Sequence, residues 1–253
     1  MRPENLYIGI TGPDSKANAA RVATGLSNIG YRVMLGLLAG KPNSPPNRYP
    51  VKEVRRNFFD GIDGTLNLVH MCPWNSLKLL DEMREEQELV GAGCGGFQLN
   101  LDSGLPDPSL LERYKSWAPA GKGTIVLQLN RRVFSQVDED LDTLALRLRE
   151  YGPLIHYAIV DLSAGGGREM KIPFTAECLR CIEEQNPDLG LVVAGGLNEN
   201  NVTHMLRPLV QLGYRPCTDI ETGGRRKSND AFHPHACIRY GRKVAGLYNN
   251  QYP

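Results

Sequence analysis

The stretch LVVAGGLNENNV, Leu191 to Val202, decides the fold. It opens as a short apolar run, Leu191 to Ala194, and breaks at Gly195-Gly196. It resumes at Asn198, a good helix N-cap, with apolar residues at Val202, Met205, Leu206 and Leu209 in helical spacing. That order is strand, glycine turn, helix. Two glycines allow backbone amides to approach a ligand, and a helix N-terminus beyond them favours an anion. A second turn of this kind follows at Thr218 to Arg226, TDIETGGRR. Glycine turns after two consecutive late strands predict a phosphate site formed by Gly195, Gly196, Thr222, Gly223 and Gly224.

Upstream, the same unit repeats. Strands are expected at Leu6–Thr11, Arg32–Leu38, Thr65–Met71, Gly95–Leu101, Thr124–Leu129 and Ile155–Leu162, and the two late ones bring the count to eight. Helical patterns lie between them, including Val51–Phe59, Asn75–Val90, Pro108–Trp117, a stretch carrying Leu141, Leu144, Ala145 and Leu148, and Phe174–Gln185. Ala231–Tyr248 supplies the last helix. The strands are apolar runs without strict alternation, as expected when both faces are buried. Alternating strands and helices also suit an open doubly wound sheet. The count of eight and the paired late glycine turns favour a closed (β/α)8 TIM barrel, one domain over 1–253, a usual length for that fold.

The formal charge of +1, from 29 basic and 28 acidic residues, argues against broad nucleic-acid or anionic-membrane binding. No apolar run approaches a membrane span, and no signal peptide is evident. Six scattered cysteines read as reduced thiols of a cytoplasmic protein. Cys178 and Cys181 form a CxxC inside a predicted helix with no second pair at zinc spacing, which reads as two helical thiols. Gly165-Gly166-Gly167 matches no nucleotide fingerprint. Neither a metal nor a cofactor is expected, and the assembly is expected to be a monomer or homodimer.

AGGLNENNV at Ala194–Val202 resembles the strand-seven signature AGGLNPENV of phosphoribosylanthranilate isomerases. DIETGG at Asp219–Gly224 resembles that family's DVSSGV. IGIT at Ile8–Thr11, FQLN at Phe97–Asn100, VD at Val160-Asp161 with AGGGR at Ala164–Arg168, and NRYPVKEVRR at Asn47–Arg56 resemble further segments of it, in order along nearly the whole chain. The resemblance implies a phosphorylated sugar-type ligand and an aldose–ketose isomerisation like that of tryptophan biosynthesis. It places Asp161 as the acid that opens the sugar ring, and Arg48 and Gln98 near the substrate. The charge run Arg225, Arg226 and Lys227 beside the site is a candidate to hold a second phosphate or a carboxylate of the substrate, although such a run is usually solvated. Ile8 stands where the family has its strand-one cysteine base, Asn100 where it has a histidine, and Arg225 where it has a glutamate.

Two proton-transfer groups are needed on opposite sides of the sugar. Asp161 ends a barrel strand, where catalytic residues sit; its bland alternative is a carboxylate capping the following turn. Cys72 is the leading base candidate, with His70 beside it in VHMCP at the end of strand three, although buried thiols commonly just pack. Asp102 is a further candidate. The expected reading is an isomerase on a related sugar phosphate. Its rivals are another phosphate-binding barrel enzyme, a lyase or epimerase, and a barrel that binds a phosphorylated ligand without catalysis. A Schiff-base aldolase would need a strand-end lysine, and the predicted strands carry none.

Overall fold

A computed structural model describes residues 6–40, 48–71, 78–162 and 168–249. Eight parallel strands close into a barrel in sequence order. They are β1 (Tyr7–Thr11), β2 (Arg32–Ala39), β3 (Thr65–Met71), β4 (Gly96–Leu99), β5 (Thr124–Leu129), β6 (Tyr157–Val160), β7 (Gly190–Val193) and β8 (Cys217–Ile220). The barrel shuts where β1 meets β8, with Gly9 opposite Asp219. A side chain on Gly9 would strike the Thr218 carbonyl at 2.8 Å and the Asp219 carboxyl at 2.9 Å, so this seam needs glycine.

The period of two sorts each strand between two cores. Inward residues Tyr7, Met34, Leu66, Leu68, Val126, Tyr157, Ile159, Val192 and Cys217 fill the barrel. Outward residues such as Ile8, Ile10, Leu35, Val69, Phe97, Leu127, Val160 and Val193 pack beneath the helices. Both sets are apolar, which is why the strands read as continuous runs. Tyr7 and Tyr157 meet edge to face at 4.9 Å near the amino ends of the strands. Toward the carboxyl ends the inward positions turn polar: Thr11, His70, Gln98, Gln128, Asp161 and Asp219, all buried. Sequence position along the strand therefore sets chemistry, apolar below and polar at the mouth.

The helices are α1 (Lys16–Leu26), α2 (Lys52–Arg55), α3 (Leu79–Val90), α4 (Pro108–Trp117), α5 (Arg131–Ser135), α6 (Leu141–Arg149), α7 (Ile172–Gln185), α8 (Val202–Gln211) and α9 (Pro234–Asn249). Local signals account for several starts. Ser15 caps α1 by accepting from the Asn18 amide, and Asp107 caps α4 with Pro108 in the first turn. Three expectations are corrected. The helix expected over Val51–Phe59 is the single turn α2, because Asn57 turns left-handed at φ 53° and ends it. Arg55 of that turn is held by Glu86 of α3, at 2.6 Å and 3.1 Å, and donates to the Pro50 carbonyl. The helix after the Gly195-Gly196 turn begins at Val202 rather than at Asn198; Asn198 instead accepts from the Asn200 and Asn201 amides and builds the turn before the helix. The short helix α5 follows β5 directly, capped by Asn130, and has no counterpart in the expected pattern. Among the described residues, no helix is long and apolar enough to cross a membrane.

Candidate active site

The polar mouth surrounds a narrow cavity of about 40 Å³, lined by His70, Gln98, Gln128, Asp161, Asp219 and Glu221 together with both glycine turns. Two carboxyl groups dominate it. Asp219 stands one inward step above Cys217 on β8, and Asp161 one step above Ile159 on β6. Thr11 Oγ1 donates to Asp219 at 2.9 Å, and Gln98 Nε2 donates to it at 3.3 Å. Gln128 Nε2 donates to Asp161 at 2.9 Å. These fixed donors hold both carboxyl groups in place around one space.

Burial pushes the Asp219 carboxyl up to about 8, against the opposing pull of the Thr11 and Gln98 hydrogen bonds. That rise favours the protonated acid at neutral pH. Burial also lowers the His70 imidazole to about 4, so His70 lines the cavity as a neutral ring. Glu221, two residues beyond Asp219, is raised by burial and drawn back by Arg48 and Arg225. Among the described residues, no group of three or more His, Cys, Asp or Glu side chains stands close enough to hold a metal ion.

The two glycine turns lie side by side. A side chain on Gly223 would meet the Leu197 carbonyl at 1.9 Å, and one on Gly196 would meet the Arg168 backbone at 2.8 Å. Gly195 and Gly196 take φ of 108° and 63°, which favour glycine. Part of the role of these glycines is thus to let backbones touch. Several amides near the expected phosphate position have acceptors within the chain: Asn198 N on Asn201 Oδ1, Gly224 N on the Glu221 carbonyl, and Arg225 N on the Thr222 carbonyl. The amides of Gly195 and Gly196 have no hydrogen-bond acceptor among the described residues.

Of the other sequence candidates, Gln98 lies in the mouth. Arg48 sits at the rim, where its guanidinium pairs with Asp230 at 2.8 Å and reaches Glu221 at 3.4 Å. Arg225 is buried and donates to the carbonyls of Gly12 and Asp230 at 2.7 Å each, tying the loops after β1 and β8 together. Cys72, and the glycines at 165–167, lie outside the described residues. Cys178 is fully buried in α7, with its thiol pushed up to about 12 by burial, and Cys181 is buried beside it. Ile8 points outward into the helix layer, and Asn100 accepts from Asn130 beyond the end of β4. Sequence reasoning missed Asp219 as an acid. The available signal was the alternation Cys217, Asp219, Glu221, which sets two carboxyl groups on the inward face of the last strand and its extension.

No family model matches this sequence, and no curated protein sequence matches it. Solved structures do match in fold. YagE of Escherichia coli K12, a prophage protein of the dihydrodipicolinic acid synthase family in complex with pyruvate, aligns with a TM-score of 0.53 at 14% identity, over 96% of this chain and 79% of that one. The YdjI aldolase from Escherichia coli K12 aligns at 0.53 and 12% identity, over 97% and 90%. A monomeric dihydrodipicolinate synthase variant aligns at 0.53 and 14%, over 97% and 81%. At such identities the likeness establishes the barrel and nothing finer. With no family model matching and the barrels of like fold named as aldolases and dihydrodipicolinate synthases, the resemblance to phosphoribosylanthranilate isomerase does not hold, nor does the isomerase and tryptophan-pathway reading that rested on it. Of the motifs carrying that resemblance, IGIT and FQL lie within β1 and β4, and the glycine motifs at 195–196 and 223–224 lie at turns after β7 and β8, where turn geometry favours glycine and asparagine.

Proposed function

We propose that this barrel is a lyase that makes or breaks a carbon–carbon bond next to a carbonyl group, by acid–base catalysis on a small hydroxy-carbonyl substrate. The observation that carries this reading is the pair Asp161 and Asp219 facing one cavity, with burial raising the Asp219 carboxyl toward its protonated form. Such a pair supplies a base and an acid to one substrate. Asp219 donates its proton to the carbonyl oxygen. Asp161 takes the proton of the β-hydroxyl group, the carbon–carbon bond breaks, and its electrons pass toward the protonated carbonyl to leave an enol. Asp161 then returns its proton to the enol carbon, and the enol hydroxyl returns one to Asp219. Both residues end as they began. The described strands carry no lysine, so an acid–base route fits this chain better than a Schiff base. Aldolases and dihydrodipicolinate synthases among the barrels of like fold are compatible with this reaction class.

A panel of carboxylated and phosphorylated β-hydroxy-carbonyl compounds, assayed for the released aldehyde, tests the reading. Asp219→Asn and Asp161→Asn should each lower turnover by about 10²–10⁴-fold. Unchanged turnover in either variant would refute the assignment. The second reading, a barrel that binds its ligand without catalysis, is favoured by the small size of the mouth cavity, and it predicts ligand binding without turnover of any member of the panel.

A further inference from the structure

A second cavity, of about 280 Å³, opens beside the mouth. It lies at the carboxyl ends of β6 and β7, between α5 and the start of α7. Ala194 and Gly195 line both it and the mouth cavity. Phe134 and Phe174 form one wall, their rings edge to face at 5.4 Å. Arg131, Arg168 and Lys171 also line it, against Glu139 and Glu169, so cations outnumber carboxylates by three to two. Among the described residues none of the three cations enters an ion pair, whereas Arg48, Arg55, Arg180 and Arg239 each do. The first turn of α7, at Lys171, Phe174 and Thr175, borders this space, and Lys171 gives that helix no side-chain cap.

The sizes of the two cavities bear on what each accepts. About 40 Å³ suffices for a few water molecules or the reacting end of a substrate, while 280 Å³ takes a fragment of several heavy atoms. We propose that this second cavity is the subsite for the substrate's anionic group, a phosphate or carboxylate carried on an apolar stem. Arg168 and Lys171 meet the charge, the Gly195 amide donates to it, and the two phenylalanines cover the stem. The anion then lies on the β6–β7 side of the mouth, away from the β8 turn, whose Gly224 amide and Arg225 amide are already taken by carbonyls of their own loop. An anion held there, with Gly195 shared between the cavities, directs the uncharged end of the molecule toward Asp161 and Asp219. The inference rests on the lyase reading only for what lies at that far end.

Calorimetric titration of the whole protein with phenyl phosphate tests it, with inorganic phosphate as the second probe. Phenyl phosphate should bind more tightly than inorganic phosphate. Lys171→Glu and Arg168→Glu, both at exposed positions, should each weaken phenyl phosphate binding by about tenfold or more, equivalent to about 1.4 kcal/mol. Phe174→Ala should weaken phenyl phosphate and leave inorganic phosphate unchanged. Asp161→Asn should bind phenyl phosphate as the native chain does, because that carboxyl belongs to the neighbouring cavity. Undiminished binding in both charge-reversed variants, or no binding by the native chain, would overturn the subsite. Either result leaves the lyase reading to its own assay. Conversely, loss of turnover without loss of phenyl phosphate binding in Asp161→Asn is expected if both stand.

Discussion

Asp219 is one residue whose environment sets its chemistry. On the inward face of β8, its carboxyl group exchanges water for two donors, Thr11 and Gln98. Those two neutral bonds replace hydration incompletely, and burial wins, moving the carboxyl from 3.8 to about 8. The folded chain therefore holds a proton that the unfolded chain releases once pH exceeds about 4. The contribution of this group to stability falls as pH rises between about 4 and about 8, by up to about 1.4 kcal/mol per pH unit, and levels off above, while the His70 and His156 rings, both lowered to about 4, contribute the opposite slope below about 6.5. Asp219→Asn removes the Asp219 contribution. Urea unfolding at a series of pH values should show the variant gaining on the native chain as pH rises from about 4 to about 8. Parallel profiles would mean that Asp219 ionises normally in the fold. No sequence pattern reveals such a shift, because it comes from burial in the closed barrel, and the donors that oppose it sit on β1 and β4, 208 and 121 residues away.

At the scale of the elements, the strands were legible because each is an apolar run ended by a polar turn, and burial on both faces demands such runs. The helix starts at Ser15 and Asp107 carry ordinary capping chemistry. Boundaries failed where tertiary contacts decide them. The helix expected over Val51–Phe59 stops after one turn where the Asn57 amide donates to the Leu89 carbonyl of α3 and its backbone turns left-handed. Asn198 has the composition of a cap but spends its side chain on the turn. The glycine turns were legible as turns, while their mutual packing was not: Gly223 sits against the Leu197 carbonyl from the preceding unit. Gly223→Val puts side-chain atoms where that carbonyl lies, so the turns after β7 and β8 must separate. A loss of roughly 1–3 kcal/mol is expected, read as a lowered urea midpoint with an unchanged slope. A midpoint equal to that of the native chain would show that the two turns do not depend on each other.

Across the whole molecule, the barrel assembles one chemical layer from residues scattered along the chain. Thr11, His70, Gln98, Gln128, Asp161 and Asp219 come from six strands or their ends, and share only the inward direction at the carboxyl ends. Reading the sequence one strand at a time named Asp161 and His70 near strand ends, the motif resemblance added Gln98, and both passed over the layer. It also weighted short motifs too heavily, since closed barrels in general meet similar geometric demands at the ends of their strands. Beside this layer the cavity under α5 and α7 adds space and positive charge, which the mouth alone lacks. The account turns on Asp219 being a neutral acid in a site it shares with Asp161. Carbon-13 NMR of the aspartate carboxyl groups, titrated from pH 4 to pH 10 in the native chain and in Asp219→Asn, reads this directly. The account predicts one carboxyl resonance with a midpoint near 8 that disappears in the variant. A spectrum in which every aspartate titrates near 4, with none lost near 8 on substitution, would contradict it.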